Sequence, residues 1–125
     1  MPRKKAAYQA DIRPWLSARN DCREGRFLQI GNSLLLSRAF QNLTANARFL
    51  YLCLAMEAGG KRDVIISRSH AQKYGVKQST FSRSIKELSE SGFIRIDESR
   101  GRYETNRFEF ISDWKIKTLY QNDTS

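Results

Sequence analysis

Apolar residues along this chain change their period several times, and each change marks an element. Ala47, Leu50, Tyr51, Leu54 and Ala58 recur at helical spacing, with Phe49, Leu52, Cys53 and Met56 filling the other sides. That pattern predicts a helix apolar nearly all round, hence a central one. Thr44 is placed to cap its start, and Gly59 and Gly60 to end it with a left-handed stop. DVIIS from Asp63 reads as a short strand leading to Ser67, the N-cap of a helix over about Arg68 to Tyr74. Gly75 supplies the positive φ of a sharp turn, and Val76 is expected to plug the space between this helix and the next. From Gln78 to Ser91 a further helix places Phe81, Ile85 and Leu88 at i, i+4 and i+7, one apolar stripe. At about 100° per residue, Ser79, Arg83 and Lys86 point away from that stripe, with Gln78 and Ser82 flanking them.

Beyond Gly92 the period becomes two. FIRID from Phe93 and RFEFI from Arg107 read as the strands of a hairpin, and the loop between them holds Arg100, Gly101, Arg102 and Tyr103. Ahead of the central helix, RFLQI reads as a short β-like run, Gly31 and Asn32 as a turn, and LLLSRAF as a brief helical or extended segment. Residues 1–26 contain Pro14 and few periodic apolar positions, which suits a flexible arm or a loosely packed leader. SDWKIKTLYQ suits a short closing helix before a polar tail. The expected organisation is therefore an arm over 1–26, one domain over 27–112, and a helix or tail over 113–125. Its class is α+β, mainly α with a small β-hairpin.

Charge changes this picture from a fold to a function. The chain has 22 Lys and Arg against 13 Asp and Glu, a formal net charge of +9. Between Ser67 and Lys86 stand five basic side chains and no acidic one. A basic helix–turn–helix stretch is the electrostatic and geometric footprint of DNA binding, in which the second helix enters a groove. Arg83 suits guanine edges, Gln78 adenine, and Ser79, Ser82 and Lys86 base edges or phosphates. Arg68, Lys73 and Lys77 suit phosphates, and Arg100, Arg102, Tyr103 and Arg107 form the corresponding set on the hairpin.

Other function classes lose ground. A single histidine, His70, rules out a paired-histidine metal centre, and neither cysteine nor aspartate shows ligand spacing. No phosphate-cradling glycine motif occurs, so the expectation is a protein that is not an enzyme and has no cofactor. His70 reads as a packed or capping residue. The longest apolar run, Phe49 to Met56, is far below the roughly 20 residues a bilayer requires, and no secretory pattern follows the basic start. The cytoplasm is the default location, and two unmotivated thiols, Cys22 and Cys53, fit a reducing compartment.

The segment YGVKQSTFSRSIKELSESGFI resembles the winged-helix DNA-binding superfamily: a small first helix, a Gly-Val turn, a recognition helix with Thr80 and Arg83, and an exit into a wing. The resemblance covers about residues 44–112. The longer stretch FLQIGNSLLLSRAFQNLTANARFLYLCLAMEAGG is similar to the opening of the N-terminal winged-helix domain of bacterial plasmid and phage replication initiators. The resemblance implies a winged helix-turn-helix that binds double-stranded DNA, with Thr80 joining the contact set. Such initiators usually continue into a further domain, which puts initiating activity in question, and the expectation is control of transcription or replication in a bacterial or mobile-element setting. Lys77 stands where this superfamily often has a Ser or Thr cap, and its side chain suits a phosphate instead. A homodimer is compatible with this reading. The alternative from another class is a winged-helix adaptor that binds protein and not DNA, which would carry acids or an apolar patch on the recognition face.

Overall fold

The computed structural model describes residues 10–97 and 105–116, which hold two antiparallel sheets, the helices given below and a further helical turn over 113–116. In order these are β1 (Ala10–Asp11), a 3₁₀ turn (Pro14–Leu16), β2 (Arg23–Glu24), α1 (Asn32–Leu36) and α2 (Arg38–Gln41). There follow α3 (Ala45–Ala58), β3 (Asp63–Ser67), α4 (Arg68–Gln72), α5 (Gln78–Glu90), β4 (Ile94–Asp97) and β5 (Thr105–Phe110). The class is α+β, as expected.

Local chemistry fixes the ends of α3. The Thr44 hydroxyl accepts from the Ala47 amide at 3.2 Å, and Gly59, at φ 61°, returns its N–H to Ala55. Glu87 of α5 reaches the same cap, accepting from the Thr44 amide at 2.7 Å and from its hydroxyl at 2.8 Å. One turn of α5 is thereby tied to the start of α3. Ala47, Leu50, Leu54 and Ala58 are buried along one side of α3, but Phe49 on the other side is 49% exposed, and Leu52 and Met56 are half-buried. The helix is thus covered on one side and not all round.

The second sheet has strand order β3-β5-β4, so its central strand is the last in sequence. Val64 pairs with Phe108 and Ile96 pairs with Phe108 from the other side, while Arg107 lies between Ile65 and Asp97. Because side chains alternate along a strand, Val64, Ile66 and Phe108 face the helices and Ile65 and Arg107 face away. Phe81 of α5 meets Phe108 on the inner face, ring centroids 6.4 Å apart. Phe93, between α5 and β4, is fully buried against Phe40, Tyr51 and Trp114, at 6.2, 5.2 and 5.1 Å.

Gly92 allows that arrangement. It sits at φ 85°, its carbonyl accepts from the Trp114 amide at 3.1 Å, and a Cβ there would stand 3.1 Å from that amide nitrogen. Gly92→Ala should therefore lower stability by at least the roughly 1 to 2 kcal/mol of a left-handed L-residue, because the neighbouring backbone must also move. A thermal melt against wild type measures it.

The leader differs from the sequence reading. RFLQI forms no strand, residues 27–30 being irregular. LLLSRAF divides into α1 and α2 at Ser37, whose hydroxyl accepts from the Phe40 amide and donates to the Leu34 carbonyl. Within the expected arm, residues 10–26 contain the β1–β2 ladder, closed by Ser17 donating to Glu24 at 2.5 Å and by the Arg19–Asp21 pair at 3.1 Å. That hydrogen bond from Arg19, with the Arg23 amide, pulls the Asp21 carboxyl down to about 2.

Candidate nucleic-acid interface

The turn between α4 and α5 is built by three adjacent residues. Tyr74 returns its amide to Ala71, Gly75 takes φ 82°, and the Val76 amide also bonds the Ala71 carbonyl, at 3.2 Å. Val76 is then buried between the helices. His70 is a cap and not a ligand: its Nδ1 accepts from the Ser67 amide at 3.1 Å. Lys77 is the N-cap of α5 and gives no side-chain cap bond, so the first-turn amides of the helix are not closed off by it.

Phe81, Ile85 and Leu88 are buried as the stripe predicts, joined by Ser84, which is 3% exposed. Lys77, Gln78, Ser79, Ser82, Arg83 and Lys86 are all exposed, and Thr80 is half-buried. The outward face therefore brings together a Gln, three hydroxyl residues and three cations. Its acids lie at the far end: Glu87, occupied by the Thr44 cap, and Glu90. Arg68 is the first residue of α4.

Lys73 is placed otherwise than a free phosphate ligand. Its Nζ lies 2.8 Å from Oε2 of Glu57, a residue of α3 whose side chain is only 10% exposed. The Tyr74 hydroxyl donates to the same oxygen, and Arg26 of the leader approaches it at 3.5 Å. Burial pushes the Glu57 carboxyl up, but hydrogen bonds from Lys73 and Tyr74, with the charges of Lys73 and Arg26, outweigh it and hold the carboxyl below the ordinary glutamate range. Burial and the bond to Glu57 push the Tyr74 phenol up to about 12. Sequence reasoning found Lys73 but not Glu57, Tyr74 or Arg26. An acid inside an otherwise apolar helix was the signal available for it.

Arg107 is exposed but stands on the outer face of the sheet, opposite the side on which α5 packs. Asp97 is its cross-strand partner, and Glu109 on the same strand face is bound by Arg95 at 2.9 Å and Arg62 at 3.6 Å. This face has mixed charge, and the fold does not bring Arg107 to the α5 surface. Arg100, Arg102 and Tyr103 lie outside the described residues. Among the described residues no group of three or more His, Cys, Asp or Glu is placed to hold a metal ion, and no helix is long and apolar enough to cross a membrane. Cys22 and Cys53 are free thiols, and burial, with the charge of Glu57, pushes Cys53 up to about 11.

No family model, curated protein or solved structure matches the chain.

Proposed function

We propose that residues 27–112 form a winged helix-turn-helix that binds double-stranded DNA, acting in the bacterial cytoplasm in control of transcription or replication, on a chromosome or a mobile element. The observation that carries this reading is the outward face of α5, where Gln78, Ser79, Ser82, Arg83 and Lys86 are exposed together on a helix whose other side is packed. A helix of this size fits the major groove, where guanidinium, amide and hydroxyl groups distinguish base edges. The uncapped N-terminus of α5, next to Lys77, adds the positive end of the helix dipole toward a phosphate. The segment joining β4 to β5 carries Arg100, Arg102 and Tyr103, the chemistry of a wing that follows the sugar-phosphate backbone. An adaptor would carry an apolar or acidic patch in place of this face, and among the described residues none of the exposed large apolar side chains stands on α5.

The test is duplex binding across salt concentrations. Each neutralised phosphate should contribute about −0.9 to the slope of log affinity against log salt, so binding should fall steeply from low to physiological salt. Absence of duplex binding at roughly 50 mM salt overturns the reading and leaves the adaptor in its place.

A further inference from the structure

We propose that Glu57 sets the DNA affinity of this surface by withholding Lys73 from phosphates. The proposal rests on the DNA-binding reading. An ammonium, a guanidinium and a phenol hydroxyl, from α4, the leader and the turn, converge on one carboxylate oxygen. That donor set is the one proteins arrange around a phosphate oxygen, and here a buried side chain of the protein occupies it. Glu57 is nearly enclosed, whereas Lys73 and Arg26 are 51% and 60% exposed, so both cations have a solvent side from which a phosphate can compete for them.

Position supports this role. Lys73 is the C-cap of α4 and lies only four residues before Lys77, the N-cap of the proposed recognition helix α5. Arg26 brings the base of the leader to the same place. With Glu57 charged, its single negative charge is matched chiefly by Lys73, at 2.8 Å against 3.5 Å for Arg26, so Lys73 releases few counterions when DNA arrives. Without that charge, Lys73 becomes a full phosphate contact.

Glu57→Gln keeps the shape and an acceptor for Tyr74 while removing the charge. It should steepen the salt slope by about 0.9, one phosphate contact, which at about 0.1 M salt is roughly 8-fold tighter binding. Lys73→Ala alone should change affinity less than about 2-fold, since an engaged Lys contributes little, and in the Glu57→Gln background it should cancel one contact's gain. A DNA-free readout accompanies these. The Tyr74 phenol, at about 12 in wild type, should fall in Glu57→Gln as the carboxylate charge is lost, while burial still holds it above the ordinary tyrosine value, seen as an alkaline absorbance difference. Circular dichroism establishes that the variants are folded. A folded Glu57→Gln protein with wild-type affinity and slope overturns the proposal while leaving DNA binding standing. So does a roughly 8-fold loss for Lys73→Ala alone, a result that does not depend on the Gln variant folding. If wild type fails to bind duplex at roughly 50 mM salt, the DNA reading falls and takes this proposal with it.

Discussion

Phe93→Ala should remove about 3 to 5 kcal/mol of folding stability, a large part of the roughly 5 to 15 kcal/mol that holds a domain together. The ring is fully buried and touches aromatic rings from three separate parts of the chain: Phe40 of α2, Tyr51 of α3 and Trp114 beyond β5. Trp114 is stacked on it with only 6° between the planes, so truncation leaves a cavity whose far wall is another rigid ring. Such walls relax poorly, and a poorly relaxed cavity is the expensive kind. Equilibrium urea unfolding measures the loss. Phe49→Ala is the matched control: with Phe49 49% exposed, it should change stability by about 1 kcal/mol or less. Equal losses at the two positions would mean that α3 is enclosed on both sides, contrary to the fold described above.

Arg83→Ala should relax preference at one base position by about 1 to 3 kcal/mol, roughly 5-fold to 150-fold, while leaving the melting temperature nearly unchanged. Arg83 is exposed on α5, two residues past Phe81 and two before Ile85, and forms no ion pair among the described residues. Its guanidinium is available to a partner without disturbing the packed stripe. Selection from a randomised duplex library, with wild type and variant in parallel, reads the effect. If both select the same motif with the same stringency, the outward face of α5 does not read bases, and the residues that do lie elsewhere.

What was legible in the sequence follows the range of the interactions involved. The caps at Thr44 and Gly59, the turn at Gly75 and Val76, and the stripe of Phe81, Ile85 and Leu88 depend on residues within a few positions of one another, and these agree with the structure. RFLQI reads as a short β-like run but finds no neighbour to pair with, and a strand without a ladder does not persist. The β1–β2 ladder was missed for the opposite reason: each strand has two residues, too few to show a period. Lys73 was identified by its charge, but its engagement depends on Glu57 in another helix and Arg26 in the leader, which no local pattern connects. Arg107 could have been placed from the sequence. If Phe108 and Phe110 of one strand face the core, Glu109 between them and Arg107 two positions before it face outward.

The strand order of the larger sheet bears on how the whole surface comes into being. β3 and β5 pair over five residues although they stand about forty residues apart in the chain, and α4, the turn, α5 and β4 all lie inside the loop that this pairing closes. A five-residue helix such as α4 has no stability of its own in water. The helix pair therefore cannot mature first and wait for the sheet; it is held in place by the act of closure, at both ends at once. Formation of the surface and formation of the domain become a single cooperative event, slow in the manner of non-local topologies. The same closure holds the α4–α5 backbone at both ends, so little of its freedom would remain to be lost in the DNA binding proposed above.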